Sequence, residues 1–197
     1  MATMVPAVIP EAPEADQMVF NLLRDDPATD GWVIIHGVKS PFSDRGQQEI
    51  DFLALVPDAA ILCVEVKRGG FEVKQGQWYA LRTSEPVDQP GRQTEKAMFG
   101  LDDQLRDRFS NWSAGAELPM DCVILFTDTT WPPHLRPLDH PTVGLPDLEL
   151  RSQQSLGERL AEIAQETLAY FPDGVRLDSQ TIKDIQDYLL AERRDSC

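Results

Sequence analysis

Asp51, Glu65 and Lys67 are the residues whose types and spacing could do chemistry. They lie in Glu49-Ile50-Asp51-Phe52-Leu53-Ala54-Leu55-Val56 and Ile61-Leu62-Cys63-Val64-Glu65-Val66-Lys67. Both runs are short and rich in Ile, Val, Leu and Phe, and read as β-strands around the turn Pro57-Asp58-Ala59-Ala60. A hairpin centred near Asp58 pairs positions whose numbers sum to about 116. Asp51 and Glu65 meet that sum, so they should oppose each other on one face, with Lys67 two residues along on the same face. Opposed carboxylates on an apolar hairpin repel and cost stability, which calls for a cation between them. An Asp–Glu pair offers hard oxygen ligands suited to Mg²⁺. Such an ion lowers the pKa of bound water and neutralises charge at phosphorus, and a lysine beside it can position the water or stabilise the transition state. Phosphodiester hydrolysis is the chemistry this set allows. Taken alone, the spacing favours a plainer reading, in which Glu65 and Lys67 mark the exposed end of a strand.

The elements that must position these residues follow from the rest of the chain. Residues 1–13, with Pro6, Pro10 and Pro13, read as an extended lead-in. From Glu14 onward Met18, Val19, Leu22 and Leu23 recur at helical spacing, and Asp25-Asp26-Pro27 closes the helix. Glu14 and Asp16 occupy its first turn, where interaction with the helix dipole accounts for them. Residues 31–38 read as a strand in which His36, with no ligand at metal spacing, takes a hydrogen-bonded structural role. A polar loop follows, containing Pro41, Asp44 and Gly46. Past the hairpin, Gly69-Gly70 lacks the further glycines of a phosphate cradle. Residues 71–74 and 77–81 read as two short strands around Gly76, with Trp78 as core or sheet cover. After a loop over 85–91, residues 93–109 form a helix with the apolar stripe Ala97, Met98, Leu101 and Leu105. Gln93 and Lys96 lie at its start, where they either face an anion or sit on solvated surface. Residues 120–126 are a nearly continuous apolar strand, buried on both faces. Trp131-Pro132-Pro133 begins an irregular connection to about Asp147 that places His134 and His140 on surface loops. Helices are expected over 156–171 and 181–190. The order predicts a mixed α/β domain over 14–197, with C-terminal helices from about 152.

Composition narrows the function classes. With 42% hydrophobic and 26% charged residues, the 197-residue chain is a soluble globular protein. It has no apolar run of membrane-spanning length and no signal-peptide pattern at its start, so no membrane role is expected. Cys63, Cys122 and Cys197 are unclustered, and the first two sit in apolar strands as small buried hydrophobes; a reducing cytoplasm is the expected location. The net charge of -15 works against tight DNA binding by this chain alone. The excess is uneven: residues 61–110 carry eight bases against eight acids, and the acidity lies on either side of them.

Asp51 within Glu49-Ile50-Asp51-Phe52, Glu65 and Lys67 within Val64-Glu65-Val66-Lys67, and then Gly76-Gln77-Trp78 resemble, in that order, the nuclease-related domain (NERD) family of the PD-(D/E)XK nuclease superfamily. The resemblance extends upstream to Glu14–Leu23 and Ile35-His36, and downstream to Gln89-Pro90-Gly91-Arg92-Gln93, covering roughly 14–130. It implies a restriction-endonuclease-like mixed sheet flanked by helices. It further implies Asp51 and Glu65 as metal ligands, Lys67 as the catalytic lysine and Gln93 as an accessory residue. Asp16 or Glu14 would be the helix acid that completes the metal site. Lys96, Arg92 and Arg68 are the expected nucleic-acid contacts. The implied activity is Mg²⁺- or Mn²⁺-dependent hydrolysis of DNA in DNA processing. Family members are often fused to helicase or kinase domains, so a separate helicase or other DNA-processing protein is an expected partner. The alternative is a catalytically inactive nucleic-acid- or protein-binding module on the same fold. A purely structural α/β scaffold is a third reading.

Overall fold

The apolar runs pair into one central sheet, because each has hydrophobic faces to cover and backbone groups to satisfy. The structure, a computed structural model, describes residues 1–40, 48–75, 77–109, 112, 116–129 and 140–195. Pro41, Asp44, Gly46, Gly76, Trp131, Pro132, Pro133, His134 and Cys197 lie outside the described residues. In chain order the elements are β1 (Thr3–Val5), α1 (Glu14–Asp25), a 3-10 turn (Pro27–Thr29), β2 (Val33–Ser40), β3 (Gln48–Leu55) and β4 (Ile61–Lys67). Then come β5 (Phe71–Lys74), β6 (Gln77–Ala80), β7 (Pro86–Val87), α2 (Arg92–Arg108) and β8 (Met120–Phe126). The chain continues with β9 (Thr142–Gly144), α3 (Leu145–Asp147) with a wider turn over Leu148–Ser152, α4 (Leu156–Leu168) and α5 (Ser179–Asp195).

The main sheet has six strands in the order β1-β2-β3-β4-β8-β9, and β5-β6-β7 form a separate three-stranded sheet. The β2-β3-β4 meander is antiparallel, while β1–β2, β4–β8 and β8–β9 are parallel. Helices cover both faces. Val19, Phe20 and Leu23 of α1 and Leu160 and Ile163 of α4 share one core with Phe52 and Val64. Ala97 and Leu101 of α2 and Ile185 of α5 share the other with Leu53, Cys63 and Cys122. The run over β8 is continuous because its side chains enter both cores, Val123 and Leu125 on one face and Cys122 on the other. Cys63 and Cys122 are buried free thiols, and burial raises the pKa of each far above its usual value. Among the described residues no helix is long and apolar enough to cross a membrane.

Four expectations need amendment. Residues 3–5 of the extended lead-in join the sheet as its edge strand. Pro86–Val87, within the expected loop, pairs with β6. The connection to Asp147 is not wholly irregular, since β9 completes the sheet. The open edge of β8 supplies the reason: Ile124 N–H donates to the Pro141 carbonyl (3.1 Å), and Val143 is then buried in the core. The last helix runs over Ser179–Asp195, longer at both ends than its apolar spacing indicated.

Candidate active site

The site grows out of a break in strand regularity. The β3–β4 ladder runs in the expected register, from Leu55↔Ile61 to Phe52↔Val64. Beyond it, the Val66 N–H donates not to a β3 carbonyl but to Asp51 Oδ2, at 2.7 Å. On the other side of β3, His36 pairs with Phe52 and Val38 with Ile50, and the residues between them are Gly37 and Asp51. Gly37 takes φ 69°, a conformation open to glycine. At this point the facing alternation slips by one residue. Ile50 and Leu53, three apart, lie in the same core, and so do Ile35 and Val38. A regular strand would separate each pair. Asp51 thus directs its carboxylate toward β4, where its partner is a backbone amide.

Glu65 and Lys67 lie on β4, held centrally by parallel pairing of Glu65 with Ile124 and Lys67 with Phe126 of β8. The Thr127 N–H closes this end by donating to the Lys67 carbonyl, at 3.1 Å. The Glu65 side chain is only 7% exposed, and its Oε1 forms an ion pair with Lys67 Nζ. Its Oε2 is buried with no hydrogen-bond partner. A buried carboxylate oxygen left unpaired is expensive, and a cation is one species that satisfies it.

From the other side, α1 brings its first turn to the site. Asp16 is 15% exposed and lies 3.2 Å from His36 Nε2. Its charge is felt at Asp51. Glu14, the competing helix acid, is 77% exposed and turned outward to Arg68 (2.9 Å). His36 is hydrogen-bonded, as its sequence context indicated, and its ring also packs edge-on against Phe52 with centroids 5.0 Å apart.

These groups set the electrostatics of Asp51. Burial, the largest influence, raises its pKa to about 6; the Val66 N–H and Lys67 oppose the rise, and Asp16 and Glu65 add to it. Three acids and one lysine therefore converge on this strand end. Among the described residues no group of three or more His, Cys, Asp or Glu side chains is arranged to hold a metal ion. The unpaired Glu65 oxygen and the mutual repulsion of the acids nevertheless suit a hard cation that keeps water among its ligands. Asp51 and Glu65 could hold it, with Asp16 alongside.

Gln93 lies at the start of α2 and, with Glu65, Lys67, Phe71, Val87 and Pro90, lines a cleft of about 270 Å³. Arg92 and Lys96 are exposed near the start of α2, one turn apart. Arg68 is held by acids instead, with Nη1 on Glu14 and Nε 3.8 Å from Asp128. Sequence reasoning did not assign Phe71 and Val87 to the site, and short apolar strands carry no signal for it. It also misplaced His140. The ring is not on a surface loop but 13% exposed, between Asp121 (3.0 Å) and Glu95 (3.3 Å), because the pairing of β9 with β8 carries it under α2.

A family model described as a nuclease-related domain matches residues 12–127, more than half of the chain. The chain belongs to the nuclease-related domain family. The NERD match spans α1 to the end of β8 and so includes the meander, the cleft and every residue that lines it. The six-stranded mixed sheet between helices agrees with the nuclease-like fold expected of a NERD protein and with the PD-(D/E)XK superfamily. No curated protein matches the chain. No solved structure matches it.

Proposed function

We propose that this NERD protein is a metal-dependent nuclease that hydrolyses DNA phosphodiester bonds, with Mg²⁺ or Mn²⁺ held by Asp51, Glu65 and Asp16. The observation that carries the reading is the buried, unpartnered Glu65 Oε2 near the Asp51 carboxyl, whose pKa burial raises to about 6. Bound there, the ion would supply charge neutralisation at the phosphate and activation of water. The chain's own residues do the positioning. Lys67 Nζ is held by Glu65 and has further N–H donors to aim at a phosphate oxygen or the attacking water. Gln93 faces the same cleft from α2 and can orient either group through its amide. Arg92 and Lys96, exposed near the start of α2, would contact flanking phosphates, whereas Arg68 would first have to exchange Glu14 and Asp128 for a phosphate.

The test is cleavage of single- and double-stranded DNA in Mg²⁺, Mn²⁺ and EDTA. Wild type should cut only with metal, and Asp51→Ala and Lys67→Ala should each lose at least ~100-fold. Equal activity in all three proteins would sink the proposal. A second reading is favoured by the net charge of -15 and by the closed Glu65–Lys67 pair: an inactive module that binds nucleic acid or protein. It predicts no cleavage with either metal and no rise in Tm on adding metal. The nuclease reading predicts a metal-induced rise in wild type that Asp51→Ala lacks.

A further inference from the structure

We propose that His140 is a positioning residue for the cleft, an imidazolium that clamps the first turn of α2 to the start of β8. The ring presents Nδ1 to Asp121 Oδ1 at 3.0 Å and Nε2 to Glu95 Oε1 at 3.3 Å. A neutral imidazole has one N–H and could donate to only one of these acceptors, whereas the cation donates to both. Asp121 belongs to β8 and Glu95 to the first turn of α2, two residues from Gln93. Among the described residues these two acids are the charged groups that face the ring. Thr142 Oγ1 closes the backbone side by donating to the His140 carbonyl, at 3.5 Å.

The clamp sits close to the candidate active site. Cys122, beneath the start of α2, lies within reach of the charges of Glu65, Asp121 and Glu95 alike. Its thiol also approaches the carbonyl of Gly91, the residue that precedes α2, at 3.9 Å. The start of α2 has no side-chain cap of its own. Apolar packing of Ala97, Met98 and Leu101 seats α2 on the sheet, and the Glu95–His140–Asp121 bridge is the charged tether of its first turn. Losing the bridge loosens the wall that carries Gln93. The consequence for the cleft rests on the nuclease reading; the clamp itself does not.

The sign of the pH dependence follows. The Asp121 hydrogen bond is the largest influence on His140, and with Glu95 it outweighs burial and raises the pKa above the ordinary 6.5. A raised histidine stabilises the fold fully below the ordinary value and loses that contribution as pH rises through the raised one. The protein's three histidines can be assigned in an NMR titration with His→Gln variants. His140 should titrate above 6.5, and Glu95→Gln should bring it down. Amide exchange at residues 91–96, corrected for intrinsic rates, should speed up about tenfold in His140→Gln, the size expected for one charge-assisted hydrogen bond. In wild type the same protection should fall at alkaline pH, and His140→Lys, whose charge persists, should keep it. If the nuclease is active, His140→Gln should lower kcat with KM little changed, and the difference should vanish above the His140 pKa. Unchanged exchange at 91–96 in a folded His140→Gln protein, or a ring that titrates at or below the ordinary value, overturns the clamp. Absence of cleavage by wild type overturns the nuclease reading alone, because exchange and titration still decide the clamp.

Discussion

At Asp51, burial and two neighbouring acids act against one backbone N–H and one ammonium, and the carboxyl ends near pKa 6. Because this exceeds the ordinary 3.8, the protonated form is the one the fold favours. Its contribution is complete below the ordinary value and is lost as pH rises through about 6. In EDTA, Asp51→Asn should therefore be more stable than wild type at pH 8, by about 1–3 kcal/mol, since asparagine can still accept from Val66 without carrying charge. The difference should disappear near pH 4. Urea unfolding at the two pH values measures it, and a wild type that is the more stable at pH 8 would refute the account. Metal should restore the wild type by binding the native state. The two strands that carry Asp51, Glu65 and Lys67 were legible in the sequence because a hairpin is a local feature. Which of Asp16 and Glu14 turns toward the sheet was not, since it depends on how α1 is rotated against it.

At the scale of elements, α1 must be fixed at both ends for Asp16 to stay over the strand end. His36 holds the first turn through Asp16, and Asp26 secures the other end. Asp26 is buried and accepts from Ala28 N–H (2.9 Å) and from Gly157 N–H at the start of α4 (2.7 Å). Gly157 is close-fitted to it, since a Cβ there would lie 2.7 Å from Asp26 Oδ2. Asp26→Ala leaves two amides unpaired and should cost about 2–4 kcal/mol, seen as a lower Tm and urea midpoint. Asp26→Asn, with a single acceptor oxygen, should recover about half of that loss. A silent Asp26→Ala would mean that α1 and α4 are joined by packing alone. The helices and the strands of the meander could be read from apolar period, whereas β7 and β9 are too short to have one. Their existence depends on an open sheet edge beside them.

Over the whole molecule, the charge of -15 limits how nucleic acid can be held. On the proposed function, Lys67, Arg92 and Lys96 are the bases that would meet phosphates, and Lys67 already pairs with Glu65. Binding of single-stranded DNA in EDTA should be weak, with log K falling against log salt at a slope of about -2, as for some three phosphate contacts. Fluorescence anisotropy at several salt concentrations gives this slope. A slope steeper than about -5 would require a basic surface that these residues do not form. Adding Mg²⁺ should tighten binding through the acid cluster rather than through more bases.

The sequence by itself determined the α/β order, the hairpin register from Leu55 with Ile61 to Phe52 with Val64, the strand that carries Glu65 and Lys67 and the helix that begins beside Gln93. Each follows from periods of two or 3.6 residues and a nearby turn, which are interactions between chain neighbours. Only the tertiary structure decided the slip at Gly37 and Asp51, the pairing of Asp16 with His36, the apolar wall from β5–β7 and the burial of His140 between two acids. Asp16 and His36 are 20 residues apart, and His140 and Asp121 are 19 apart. Contacts at that range form only when helices and strands have packed, because burial rather than local pattern chooses which polar group meets which.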